Sequence, residues 1–179
     1  MNRISTVSSA ANTRLFFALW PDASAAKQLQ AQQQGLNGKK AARDDFHLTL
    51  HFLGEQPTEL LPKIIEAGRS LTFSESLSFN FYGFFTHGKI VWAGLAEIPR
   101  ALFVLHADLA AQLRNIPLKW RQEPYFIPHI TLARKADRPS NHHFEPITSE
   151  RLQFCLARSK ANTHQFGSGE PRYEILQRF

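Results

Sequence analysis

The tetrapeptide 47-HLTL-50 returns as 129-HITL-132, and each copy falls in the last strand of a strand, helix, strand succession. The first succession runs through residues 15–20, 25–34 and 46–53, the second through 90–95, 101–114 and 126–134. Strands are read from apolar alternation and helices from apolar residues at helical spacing, as with Leu102, Leu105, Leu109 and Leu113. A unit of about forty residues that occurs only twice does not make a solenoid. It calls instead for two similar lobes packed about a pseudo-twofold axis, with the repeated strands face to face across a groove.

The rest of the chain fits one α+β domain of that kind, spanning residues 14–179 after a flexible N-terminus of residues 1–13. A helical stripe is expected over 57–70, in which Pro62 is tolerable only in the first turn. Strands over 77–85 and 89–95 flank Thr86-His87-Gly88 as a hairpin. Residues 136–149 are polar and proline-bearing and read as loop, and strands over 152–159 and 173–176 stand around Gly167-Ser168-Gly169. With 43% hydrophobic residues and fifteen phenylalanines among 179 residues, the composition is globular. No apolar run approaches the roughly 20 residues of a membrane helix, and the apolar run at 15–20 is too short for a secretory h-region. The single cysteine, Cys155, excludes an intrachain disulfide framework and a cysteine-rich zinc site. A cytoplasmic monomer is expected. The formal charge of +6 is spread along the chain and is compatible with an anionic ligand such as RNA.

Within each copy the spacing carries the chemistry. Residues i and i+2 of a strand project from one face, so His47 and Thr49 share a face, as do His129 and Thr131. Leu48, Leu50, Ile130 and Leu132 point the other way, into a helix layer. The polar face cannot also be core without stranding unsatisfied groups. Across a groove it would hold two imidazoles and two hydroxyls in near-symmetric positions. Such a set suits in-line displacement at phosphorus: a neutral imidazole takes a proton from the attacking water, and a protonated one gives a proton to the departing oxygen. The hydroxyls can donate to the non-bridging phosphate oxygens. Neither transfer requires a metal or cofactor, and none is expected.

Other histidines are read differently. His51 continues the polar face of the first strand, but its counterpart is Ala133, which puts it at the cleft rim or in substrate binding. A metal held by His47 and His51 lacks a carboxylate or cysteine at a suitable spacing. His87 and His106 are read as surface residues and His142 and His143 as solvated, while His164 has no assigned role. Histidine-triad hydrolases need His-x-His-x-His on one strand, and here the middle position is Thr49. A noncatalytic RNA- or nucleotide-binding cleft is the rival reading, although binding alone does not call for two titratable groups at matched positions.

These motifs resemble those of the 2H phosphoesterases, and within them the bacterial and archaeal RNA 2′,3′-cyclic phosphodiesterases first described as 2′-5′ RNA ligases. The resemblance takes in 15-LFFALWP-21, 47-HLTLHFLG-54, 90-IVWAGL-95, 128-PHITLAR-134 and 173-YEIL-176. It implies a bilobal α+β fold, two pseudo-symmetric lobes of antiparallel sheet with outer helices and a central cleft. It also implies metal-independent opening of 2′,3′-cyclic phosphates on RNA or nucleotides to 2′-phosphates, with reversible 2′-5′ joining of RNA in some members. By the same resemblance, His47 and His129 are the catalytic pair. Because the 3′ oxygen leaves, His47 is the general acid and His129 the general base. Thr49 and Thr131 bind the phosphate. Arg134 is a further phosphate contact, although strict alternation puts it on the wrong face, so the strand must bend or end before it. Phe52 is the matching position of the first copy, where its ring either stacks on a nucleobase or packs as a core aromatic against the helices.

Overall fold

The structure, a computed structural model, describes residues 12–160 and 171–179. His164 and Gly167-Ser168-Gly169 lie outside the described residues, as do residues 1–11. The described elements are β1 (Asn12–Trp20), α1 (Ala23–Ala31), β2 (Lys39–Lys40), β3 (Leu48–Pro57), α2 (Leu61–Arg69), β4 (Leu77–Phe85), β5 (Ile90–Leu95), α3 (Arg100–Arg114), β6 (His129–Arg134), β7 (His143–Ser149), β8 (Gln153–Ser159) and β9 (Tyr173–Arg178). The strands form one antiparallel sheet in the order β7-β4-β5-β6-β3-β1-β8-β9, with β2 beside β6. Alternate apolar residues of the strands, among them Leu15, Phe17, Leu48, Phe79 and Ile130, meet Leu29, Ile64, Leu102 and Leu109 of the three helices in one core. Each such buried side chain contributes about 1.5–3 kcal/mol relative to exposure. No helix among the described residues is long and apolar enough to cross a membrane.

The repeat is visible in the sheet order. Read outward from the middle, β3-β1-β8-β9 and β6-β5-β4-β7 are the same succession, with β1 and β3 matching β5 and β6. The two halves meet where β3 pairs with β6, Leu48 with Ile130, and where β2 pairs with β6, Lys39 with Arg134 and Lys40 with Ala133. The repeated strands therefore lie side by side and antiparallel, where face-to-face opposition was expected from the repeat. The helices interlock the halves: α1, which follows β1, packs against β7, and α3, which follows β5, packs against β3.

Strand β7 departs from the loop expected over 136–149. It pairs with β4 from Leu77 opposite Ser149 to Phe81 opposite His143. As the edge of the sheet it needs no second partner, so Pro146 is tolerated. Only Ile147 and Ser149 of the strand are buried, and its polar composition hides the alternation. Two smaller differences are that β1 already begins at Asn12 and that β6 begins at His129 rather than at residue 126. α2 begins at Leu61 rather than at residue 57, which puts Pro62 in its first turn, where its missing N–H is not needed.

Asp22 ties the start of α1 to the end of β7. The Ala25 N–H donates to its Oδ1 at 2.9 Å, capping the helix, while the Ser149 hydroxyl and the Glu150 N–H donate to Oδ2 at 2.9 and 3.0 Å. Burial pushes this carboxyl up, but hydrogen bonds from Ala25, Ser149, Arg151 and Glu150 outweigh it and hold the pKa below the ordinary 3.8. Asp22→Ala is expected to destabilise the fold by about 1–2 kcal/mol at neutral pH in denaturant melts. A depressed folded pKa gives stability that is present above the unfolded value and lost as pH falls through the folded one. The two stability curves should therefore converge in acid, and a gap that stays constant down to about pH 2 would exclude any contribution from the charge.

Candidate active site

The antiparallel register that pairs Leu48 with Ile130 places His47 beside Thr131 and Thr49 beside His129. All four side chains line one cleft of about 1100 Å³, together with Arg134 and Phe52. The sequence-expected set is thus brought together in full.

Arg134 and Phe52 reach the cleft through the same irregularity in each strand. Ala18 pairs with Thr49 and Phe17 with His51, so Leu50 is an extra residue; Trp92 pairs with Thr131 and Val91 with Ala133, so Leu132 is extra. Such a bulge sets two successive side chains toward the same face. Leu50 and His51 are buried in succession, as are Leu132 and Ala133, and the next residues return to the cleft. The bend required before Arg134 is this bulge. Of the two readings of Phe52, the cleft holds: its ring is 45% exposed, with the Arg14 guanidinium 4.9 Å from its centroid.

The same bulge overturns the placement of His51 at the cleft rim. His51 is only 6% exposed, donates from Nε2–H to the His106 carbonyl at 2.8 Å and stacks on the His106 ring at 4.1 Å. Its ring also meets Trp120 edge-on at 5.1 Å. His51 braces β3 against α3 on the side away from the cleft. His106, expected at the surface, is its half-buried partner and also stacks on Phe126 at 4.1 Å. His142 and His143 are exposed. Among the described residues, no group of three His, Cys, Asp or Glu side chains is placed to hold a metal ion.

The two motif histidines are held alike. His47 Nδ1–H donates to the Asp45 carbonyl at 2.6 Å and His129 Nδ1–H to the Ile127 carbonyl at 2.7 Å. A carbonyl only accepts, so Nδ1 keeps its proton and Nε2 is left for the cleft. Aromatic rings wall both sites. Phe16, Trp20 and Tyr173 lie 4.9–5.0 Å from the His47 ring, and Phe85 and Trp92 lie 5.1 and 5.4 Å from that of His129. Burial among them lowers the His47 pKa to about 4, with His129 and Arg134 adding repulsion against a second charge. Burial and Arg134 lower His129 as well. Both shifts favour the neutral imidazole.

The family described as "LigT like Phosphoesterase" matches residues 21–90 and 94–167. The chain belongs to the LigT-like phosphoesterases. It is 29% identical over 143 residues to the RNA 2′,3′-cyclic phosphodiesterase of Escherichia coli strain K12, a match covering 79% of each chain. It is 32% identical over 129 residues to the RNA 2′,3′-cyclic phosphodiesterase of Archaeoglobus fulgidus, over 68% of this chain and 72% of that one. The crystal structure of E. coli LigT complexed with 3′-AMP superposes with a TM-score of 0.74 at 27% identity, covering 94% of this chain and 98% of the other.

In this LigT-like chain, two cleft residues escaped the reading of the sequence. Asp45 is 5% exposed and accepts the backbone N–H groups of Arg172 at 2.9 and 3.0 Å and of Tyr173 at 3.3 Å. It thus pins the start of β9 beside the carbonyl that holds His47, and Tyr173 meets the His47 ring edge-on. Burial pushes the Asp45 carboxyl up, against those hydrogen bonds. The partners stand 127 residues apart, so no local spacing announces them.

Nitrogen-15 NMR should find His47 of the free protein in the neutral Nδ1–H form down to about pH 4. Inorganic phosphate should raise its midpoint, because a bound anion favours the charged ring. A midpoint near the ordinary 6.5 without phosphate would contradict the role given to burial.

Proposed function

We propose that the protein hydrolyses the 2′,3′-cyclic phosphate of an RNA end or a nucleotide and leaves a 2′-phosphate. The reading is carried by two imidazoles on one cleft, each offering Nε2 while a carbonyl two residues upstream holds its Nδ1–H. It is supported by the two relatives named RNA 2′,3′-cyclic phosphodiesterase and by the 3′-AMP complex of E. coli LigT. A cleft that only binds would not call for two matched, neutral-held imidazoles.

In the proposed reaction His129 Nε2 takes a proton from water as the water oxygen bonds to phosphorus. The P–O3′ bond breaks on the opposite side, and His47 Nε2–H gives its proton to O3′. The products are a 2′-phosphate and a 3′-hydroxyl, and exchange with solvent restores the starting protonation of the pair. The Thr49 and Thr131 hydroxyls donate to the non-bridging oxygens, and Arg134 offsets their charge. Phe52 offers a face for the base. The acid role goes to His47 because O3′ is expelled from phosphorus toward the nucleoside, which stays joined through O2′, and the cleft lining lies mainly on the His47 half of the sheet. An anionic substrate raises the imidazole pKa values, so the proton needed on His47 is taken up together with the substrate. Neither transfer calls for a metal or cofactor. A 5′-hydroxyl of a second RNA in place of water would yield a 2′–5′ linkage by the same two transfers. A cytoplasmic monomer fits this reading, since one chain supplies the cleft and Cys155 is the sole cysteine.

An RNA oligonucleotide ending in 2′,3′-cyclic phosphate, incubated with the protein and excess EDTA, should yield the 2′-phosphate. If none forms, or if activity returns only with added metal, the proposal fails. His47→Ala and His129→Ala should each lose roughly 10²- to 10⁴-fold in kcat while still binding a 2′-phosphate nucleotide. Full activity in either variant would remove that residue from the chemistry. The profile of kcat/KM, which reports the free pair, should peak on the acid side of pH 6.5. That of kcat should peak at higher pH, and coincident profiles would contradict proton uptake with substrate.

A further inference from the structure

We infer that Phe126, stacked on His106, is a positioning residue for His129: it seats the Ile127 carbonyl that holds the Nδ1–H of that imidazole. His51, on the far side of His106, backs the stack. This rests on the reaction proposed above, in which His129 Nε2 meets the water, and adds to it the part of the fold that aims the ring.

The first observation is that the two histidine anchors match at the carbonyl and differ behind it. The Asp45 carbonyl belongs to a hydrogen-bonded turn, in which the Asp45 N–H donates to the Ala42 carbonyl at 3.0 Å and the Phe46 N–H to the Arg43 carbonyl at 3.1 Å. The Asp45 side chain fastens that turn to β9 as well. The Ile127 carbonyl ends a stretch of another kind. Residues 121–127 form neither helix nor strand, and among the described residues none of them enters a backbone–backbone hydrogen bond. The bond from Arg114 Nη2 to Gln122 Oε1, at 3.3 Å, is exposed. Residues 121–125 and Ile127 are exposed too, and only Phe126 turns its side chain inward against the core. What holds this stretch is therefore one ring.

The second observation is the column that receives the ring. Phe126 lies 4.1 Å from His106 with the planes 17° apart, and His106 lies 4.1 Å from His51 with the planes 28° apart. Phe103 meets Phe126 edge-on at 6.1 Å. His51 is itself fixed, by its bond to the His106 carbonyl and by the edge of Trp120. Burial lowers both histidines, His106 to about 4 with His51 adding repulsion, so the stacked rings are neutral at neutral pH. Pro128 completes the arrangement. It is buried, its ring fixes its own φ, and it confines Ile127 to extended backbone. The direction of the Ile127 carbonyl then follows from where Phe126 is seated.

The test combines nitrogen-15 NMR with kinetics on the full chain at neutral pH. Wild-type His129, like His47, should show the Nδ1–H tautomer. Phe126→Ala, outside the cleft, should shift His129 toward a mixture of tautomers and leave His47 unchanged. Its kcat on a cyclic-phosphate RNA end should fall roughly tenfold or more, as a misplaced base requires, with KM little altered. Phe126→Tyr keeps a ring to stack and should recover most of both. His106→Ala, at a half-buried helix position, should repeat the effects of Phe126→Ala and serves in its place should that variant not fold. Wild-type His129 signals and kcat in the alanine variants would overturn the inference. So would an equal disturbance of His47, the mark of general loosening. If His129 responded as expected but the wild type hydrolysed no cyclic phosphate, the proposed reaction would fail and the positioning would stand.

Discussion

The contact between Leu48 and Ile130 is the hinge on which the architecture turns. It is the register pair between the two motif strands β3 and β6, and both side chains are fully buried. Because side chains alternate with a period of two, a slip of one residue here would turn the histidines and threonines toward the helices and the leucines toward water. The pair is guarded from both sides. Helix α1 leaves the first half and packs on β7 of the second, and α3 leaves the second and packs on β3 of the first. Neither half can complete its core alone, so the register of the polar face is secured by the folding of the whole chain.

Two matched bulges then turn a strand pairing into a cleft. By adding Leu50 and Leu132, each motif strand buries two side chains in succession and sends the next one, Phe52 or Arg134, back over the histidines. The imidazoles themselves are placed among aromatic rings and fastened at Nδ1, which favours the neutral form and one tautomer. In the proposed reaction the charge for acid catalysis comes with the anion, because a bound anion favours the charged ring.

Symmetric chemistry is served by an asymmetric surface. The histidines, threonines and their carbonyl anchors are near copies, yet most of the remaining cleft lining comes from the half that contains β1 and β3. In the proposed ring opening the water oxygen enters on one side of phosphorus and O3′ departs on the other, while the nucleoside stays joined to phosphorus through O2′.

The local pattern of the chain was enough to single out His47, Thr49, His129 and Thr131, to separate them from His51 by recurrence alone, and to give an α+β repeat with three helices. Alternation within a strand is a short-range property, and the motif strands show it clearly up to the second leucine. Beyond that point the tertiary structure decided. A bulge is created by the neighbouring strands, β1 and β5, so the local pattern could not say that His51 is buried or which face takes Phe52. Edge strand β7 could not be seen because one solvated side relaxes its alternation. Asp45 and Tyr173 could not be paired because 128 residues separate them, and only folding brings such groups within hydrogen-bond reach.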